Sequence, residues 1–192
     1  MLHLPHTLVL ASASPQRKKL LEIIGVDFEI IPSRFQEPLH SDVLCDPRRF
    51  AVDLALGKGQ EVFDRMEKKK IVLSADSIGI LGDLVLEKPR DRDHAKQMIS
   101  QLAGKTHVVL TAVALFHPDR EVQVRSVETK VSFKPISDAE LESYLDAGEY
   151  VDKAASYAIQ GKASLFVERI EGDFYNIVGL PVSTIYDLLK TA

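Results

Sequence analysis

Cysteine is almost absent from this chain: Cys45 is the single one among 192 residues. One thiol excludes an internal disulfide framework and fits a reducing compartment, so a cytoplasmic protein is expected. With no paired His in its neighbourhood, Cys45 reads as an ordinary loop or packing residue. Long apolar runs are missing too. None approaches the roughly 18 residues that a membrane span needs, so no membrane partner is expected. The stretch MLHLPHTLVLASASP lacks a basic n-region, and Leu8–Leu10 reads as a first strand rather than part of a signal peptide. Excess positive charge is absent as well: the net charge is −4 and the pI is near 5.9. That argues against a nucleic-acid polymer as partner, while a local Lys/Arg cluster could still hold a small polyanion. No GxxxxGK[ST], GxGxxG or GxSxG occurs, and Gly57-Lys58-Gly59 is too sparse to count as a phosphate loop. His3, His6, His40, His94, His107 and His117 show no zinc-site spacing.

At 45% hydrophobic residues the chain can build one good core, or two lobes sharing a cleft. Its most informative stretch is LVLASASPQRKKLLEIIG, residues 8–25. An apolar strand runs into a Ser-rich turn that opens a helix, with Ser14 as N-cap, Pro15 at the first helical position and Gly25 at the stop. The free N–H groups of that helix start, the Ser12 and Ser14 hydroxyls and Arg17 together suit a phosphate. A plain strand–turn–helix junction is the alternative reading.

Further along, Pro47–Lys69 reads as a long amphipathic helix capped by Asp46, with Phe50, Leu54, Val62 and Met66 among its buried residues. Ile71–Ile80 is a strand. Asp91–Leu102 is a helix stopped at Ala103-Gly104. His107–Phe116 and Val122–Phe133 are an antiparallel pair joined through His117-Pro118-Asp119. Ser137 and Glu140 form a capping box for a helix that ends at Gly148. Leu165–Ile170 is a short strand, and Pro181 opens a last helix running to about Lys190. Two long β segments with no helix between them predict an α/β architecture with a mixed sheet, not a uniform parallel one.

Two more clusters carry chemistry. Ser74-Ala75-Asp76-Ser77 puts a carboxylate inside an apolar strand, which is costly unless the group is paired or holds a metal. Glu87-Lys88-Pro89-Arg90-Asp91 lies one hairpin later, past a turn at Gly82-Asp83, and would bring a Lys near that Asp. Acid groups that hold a cation, with lysines that hold phosphates, are the parts of metal-assisted phosphoryl chemistry. A satisfied structural Asp is the alternative. In Asp152-Lys153-Ala154-Ala155-Ser156-Tyr157-Ala158-Ile159-Gln160-Gly161, small residues let the backbone approach a ligand, and the Gln160 amide could read a base edge. A tight packed turn is the alternative there.

Together ASASPQR (11–17), SADS (74–77), EKPRD (87–91), DKAASYAIQG (152–161) and VGLPV (178–182) closely resemble the Maf family of nucleotide pyrophosphatases, once described as septum-formation inhibitors. The resemblance covers almost the whole chain. It implies a single domain over 1–192 with the Maf/inosine-triphosphatase-like α/β fold, an elongated mixed sheet flanked by helices and two lobes around a central cleft. It implies hydrolysis of a nucleoside triphosphate to the monophosphate and pyrophosphate, with Mg2+ or Mn2+. By residue, Asp76 matches the catalytic carboxylate, Glu37 the acidic residue after the second strand, and Lys58 and Lys88 the lysines of the long helix and the EKP segment. Glu37 and Asp76 would be the metal ligands. Ser12, Ser14 and Arg17 fall on the phosphate turn, and Asp152, Lys153 and Gln160 on the third motif. Ser77 and Gln160 favour the pyrimidine type, acting on dTTP and UTP. Gln16 departs from the Arg usual in that type, and Ala155 and Ala158 stand where glycines are usual. A preference for 7-methyl-GTP or another non-canonical nucleotide stays open, as does a nucleotide-binding regulator without turnover. Family members commonly form homodimers, so a homodimer is expected.

Overall fold

The computed structural model describes residues 4–39 and 46–192. Cys45, His3 and His40 lie outside the described residues. The strands are β1 (Leu8–Leu10), β2 (Phe28–Ile30), β3 (Ile71–Leu81), β4 (Leu84–Leu86), β5 (Thr106–His117), β6 (Arg120–Phe133) and β7 (Val167–Glu171). The helices are α1 (Pro15–Ile24), α2 (Pro47–Arg65), α3 (Arg92–Leu102), α4 (Asp138–Asp146), α5 (Phe174–Val178) and α6 (Val182–Lys190). The strands form one seven-stranded sheet in the order β2-β1-β3-β5-β6-β7, with β4 beside β3. Both β2 and β3 run parallel to β1, whereas β4 is antiparallel to β3 and β7 to β6. The sheet is therefore mixed and the class α/β, as the pattern of elements predicts. No helix among the described residues is long and apolar enough to cross a membrane.

The chain divides into two compact units. One holds residues 1–76, 111–127 and 179–192, the other residues 77–110 and 128–178. In the first, β1 and the start of β3 are apolar on both faces and fully buried, as parallel strands covered on both sides must be. Val9, Val62, Phe63, Val72, Ala114 and Phe116 form one of its clusters. Local signals set the helix starts. Ser14 accepts from the Arg17 N–H ahead of Pro15, and Asp46 accepts from the Arg48 and Arg49 N–H groups ahead of Pro47. Gly25 closes α1 in the left-handed conformation at φ +73°.

Helix α2 stops at Arg65, four residues before the predicted end at Lys69. Glu67 and Lys68 both take positive φ, and the Lys68 N–H turns back to the Phe63 carbonyl. The chain thus closes the helix without a glycine, which is why the sequence shows no stop there.

In the second unit, Leu86, Ile99, Leu102, Val131, Phe133, Tyr144 and Phe166 belong to one buried cluster. The capping box of Ser137 and Glu140 is present, and Asp91 accepts from the His94 N–H at the start of α3. On the surface Arg92 and Lys96 of α3 pair with Glu142 of α4 at 2.6 and 2.5 Å. Strand β7 begins at Val167 rather than at Leu165. Residues 162–166 form a 3-10 turn that buries Phe166 and leaves Leu165 exposed, a single-sided burial that the apolar letters alone do not distinguish from a strand.

Candidate active site

The first unit brings four of the predicted residues together. Lys58 lies on α2, Asp76 on β3, Glu37 on the segment after β2, and Arg17 on α1. The Lys58 Nζ stands 2.5 Å from Asp76 Oδ1 and 2.9 Å from Glu37 Oε2. Asp76 is buried while Glu37 is exposed. Burial raises the pKa of Asp76 above the ordinary carboxylate value, and the charges of Lys58 and Arg17 pull it back. Burial in turn lowers the pKa of Arg17, against the attraction of Asp76 and Glu37. The result is two carboxylates in unlike surroundings with two cations between and beside them.

Close backbone approach makes this meeting possible. A Cβ at Gly59 would overlap the Phe116 ring and the Ser74 hydroxyl, so α2 can press against β3 only because residue 59 has no side chain. Ser74 Oγ donates to the Ala55 carbonyl at 2.7 Å, fastening the same two elements. Next to Lys58 on the other side, a Cβ at Gly57 would overlap the Phe35 ring. That ring is two residues from Glu37. The segment is held further by Glu61, whose carboxylate accepts from Ser33 Oγ at 3.1 Å and from the Arg34 N–H at 2.9 Å, and pairs with Arg65.

Sequence reading set Gly57 and Gly59 aside as too sparse for a phosphate loop and did not single out Glu61. Glu61 stands three residues after Lys58, on one face of the same helix, which is the local trace it leaves.

At the Ser-rich turn, Ser12 Oγ accepts from the Ser14 N–H at 3.1 Å, and Ser14 Oγ donates to Gln16 Oε1 at 3.4 Å. Arg17 Nε donates to the Gly179 carbonyl at 2.9 Å, which ties α1 to the segment that leads into α6. That contact joins the first motif to VGLPV.

The remaining predicted residues, Ser77, Lys88, Asp152, Lys153 and Gln160, belong to the second unit. Lys88 follows β4, whose pairing of Leu86 with Gly79 leads the chain back along β3 toward Ser77. The Ala155 N–H donates to the Glu87 carbonyl at 3.1 Å, so the third motif is fastened to the EKP segment. Asp152, Ala155 and Ser156 all have φ between +54° and +62°. Such a run of left-handed non-glycine residues is strained and needs support from around it. It has that support: Tyr144 OH donates to the Ser156 carbonyl at 3.0 Å, and His107 Nε2 meets Tyr157 OH at 2.8 Å. Gln160 is exposed and Lys153 half-buried.

Glu37 and Asp76 are also the predicted metal ligands, and the donor set fits. Both carboxylates reach the single point now taken by the Lys58 ammonium, and hard oxygen donors of this kind suit Mg2+ or Mn2+. A surface hollow of about 520 Å3 between residues 4–8 and 26–29 contains none of the predicted site residues.

Residues 7–192 match the family described as Maf-like protein. The chain is 43% identical over 184 residues to the dTTP/UTP pyrophosphatase of Thermoanaerobacter sp. (strain X514), covering 95% of each chain. It is 42% identical over 183 residues to that of Bacillus anthracis (strain CDC 684 / NRRL 3495), covering 95% and 94%. The dTTP/UTP pyrophosphatase of Thermococcus kodakarensis is 40% identical over 181 residues, covering 94% of each chain. Among solved structures, the Staphylococcus aureus Ham1 protein has a TM-score of 0.55 at 13% identity, covering 96% of this chain and 98% of that one. At that identity the likeness is one of fold alone. With its motifs, its fold and its relatives in agreement over nearly the whole length, this chain belongs to the Maf-like protein family.

Proposed function

We propose that this chain is a nucleoside triphosphate pyrophosphatase that converts dTTP and UTP to the monophosphate and pyrophosphate. The observation that carries this reading is the Lys58 ammonium held between the carboxylates of Glu37 and Asp76. Relatives at 40–43% identity that are named dTTP/UTP pyrophosphatase support the substrate.

In this reading a water attacks the α-phosphorus. The bond from that phosphorus to the oxygen bridging the β-phosphate breaks, and pyrophosphate leaves with the electron pair. Asp76 takes the proton of the water; a carboxylate whose pKa burial has raised is a better base than an ordinary one. Lys58, Lys88 and Arg17 offset the charge that develops on the departing pyrophosphate. The Ser12 and Ser14 hydroxyls and Gln16 line the phosphate turn. Gln160 reads the pyrimidine edge, with Ser77, Asp152 and Lys153 around the nucleotide. Glu37 and Asp76 would hold a Mg2+ or Mn2+ ion, which when bound neutralises phosphate charge and polarises the α-phosphorus. The whole chain acts as one catalytic domain, in the cytoplasm and as a homodimer.

Pyrophosphate release, measured with and without Mg2+ or Mn2+ across canonical and modified triphosphates, tests this. Metal-dependent release from dTTP and UTP is expected. Release from 7-methyl-GTP alone would overturn the role of Gln160, and no release at all would leave a nucleotide-binding regulator. Light scattering on the eluting protein checks the dimer.

A further inference from the structure

The histidines show no ligand spacing along the sequence, yet folding assembles three metal-binding side chains away from the candidate active site. His6 lies just ahead of β1, His117 ends β5, and Asp119 sits in the two-residue turn to β6; all three belong to the first compact unit. His6 Nε2 is 3.0 Å from Asp119 Oδ2. The His6 and His117 rings meet edge to face with centroids 5.2 Å apart. One donor atom from each of the three residues lies within 4.8 Å of the other two.

His117 is an unusual residue to find here. It is only 7% exposed, and its Nε2 is buried with no hydrogen-bond partner. Its Nδ1 accepts the Asp119 N–H at 3.1 Å, so the ring proton resides on Nε2. Its neighbours, by contrast, are accessible: the Asp119 side chain is 72% exposed and that of His6 30%. An ion can therefore reach the cluster from solvent.

We propose that His6, His117 and Asp119 bind one transition-metal dication of the zinc class, clipping the segment ahead of β1 to the β5–β6 turn. Two imidazoles and one carboxylate, with no thiolate, are a donor set for Zn2+ rather than for Mg2+. Ligands about 2.0–2.1 Å from a tetrahedral zinc stand roughly 3.4 Å from one another. Closing the triad from its present spacing takes shifts on the order of 1 Å, within reach of a turn and the segment ahead of β1. The ion competes with the Asp119 amide for the bare Nδ1 of His117, while Nε2 keeps its proton. Three protein ligands leave the fourth position to water.

The test is Zn2+ alone, titrated calorimetrically into the full chain in the Asp76→Asn background, which weakens the active-site carboxylate pair. One equivalent of Zn2+ should bind and raise the melting temperature. His6→Ala and Asp119→Asn, neither of which opens the core, should each weaken that binding at least tenfold and cancel the thermal shift. His117→Gln should do the same, and circular dichroism checks its folding. Binding that is absent in the Asp76→Asn background, or that persists unweakened in His6→Ala and Asp119→Asn, would overturn the proposal.

Discussion

The ammonium of Lys58 sits 2.5 Å from a carboxylate oxygen of Asp76 that the fold has taken out of water. Burial alone would drive that carboxyl toward its neutral form, and Lys58 is the strongest influence acting the other way. The ionisation of Asp76 is therefore under the control of a residue 18 positions away in sequence.

If ionised Asp76 is the working form, activity should rise with pH along an acid limb whose midpoint lies above the ordinary carboxylate value of about 4. Lys58→Met removes the main opposing charge, so it should move that limb to higher pH and lower kcat. Asp76→Asn should lower kcat by about 100-fold or more while nucleotide still binds. Stability runs the opposite way with pH. A carboxyl whose folded pKa is raised binds more protons in the fold than in the unfolded chain, so stability falls as pH climbs through that window. Asp76→Asn should consequently melt no lower than wild type at neutral pH. pH–rate profiles and thermal melts check both halves; an Asn variant that keeps turnover would remove Asp76 from the mechanism.

Glu61 holds the segment that carries Glu37 through Ser33 and the Arg34 amide. Glu61→Ala should free that segment, raising KM for the nucleotide more than it lowers kcat and reducing stability by about 1–2 kcal/mol. Glu61→Gln keeps one acceptor oxygen and should recover most of the loss. Equal effects of the two variants on KM would show that Glu61 does not act by positioning.

Gly79 and Ala155 are matched to one another. A Cβ at Gly79 would collide with that of Ala155, which itself adopts φ +54°. Gly79→Ala should destabilise the protein by about 2 kcal/mol or more. Ala155→Gly relieves a left-handed alanine and should be neutral to stabilising by up to about 1 kcal/mol. In the double variant the Leu86 side chain still crowds position 79, so the recovery should be partial. A double-mutant cycle by denaturant unfolding measures the coupling; strictly additive effects would contradict the contact.

His107 is buried against Tyr157 and Phe133, and burial pulls its pKa down to about 4. The unfolded chain therefore binds more protons between about pH 6.5 and about pH 4. The stability that His107 contributes is present above that window and lost as pH falls through it, by roughly 3 kcal/mol in all. His107→Gln should flatten this acid loss. Unfolding free energies at pH 7 and pH 4.5 check it, and an unchanged slope in the variant would refute it.

Gln16 accepts a hydrogen bond from the Ser14 hydroxyl at the phosphate turn. Gln16→Arg adds a charge and a bidentate donor there, and should raise kcat/KM for dTTP and UTP severalfold. Steady-state kinetics with both nucleotides decide it; an unchanged value would remove residue 16 from substrate recognition.

Short-range signals were legible because their physics closes within a few residues. Ser14-Pro15 and Gly25, Asp46-Pro47, Asp91, and Ser137 with Glu140 each satisfy helix-end groups from their own neighbourhood. The alternation of helices and long β segments, with the five ordered motifs, determined the α/β class and the family. The end of α2 was not legible, since Glu67 and Lys68 turn the chain with positive φ and no glycine marks the place. Nor was the 3-10 turn before β7, where burial of Phe166 and exposure of Leu165 depend on what packs against residue 166. Only the tertiary structure decided that Lys58 meets both Glu37 and Asp76, that Glu61 steadies one of them, and that His6 reaches Asp119 across 113 residues. The contacts of Lys58 depend on where the glycines at 57 and 59 let a helix lie against its neighbours. Packing of that kind is a property of surfaces brought together by the whole chain, and no local stretch of sequence contains it.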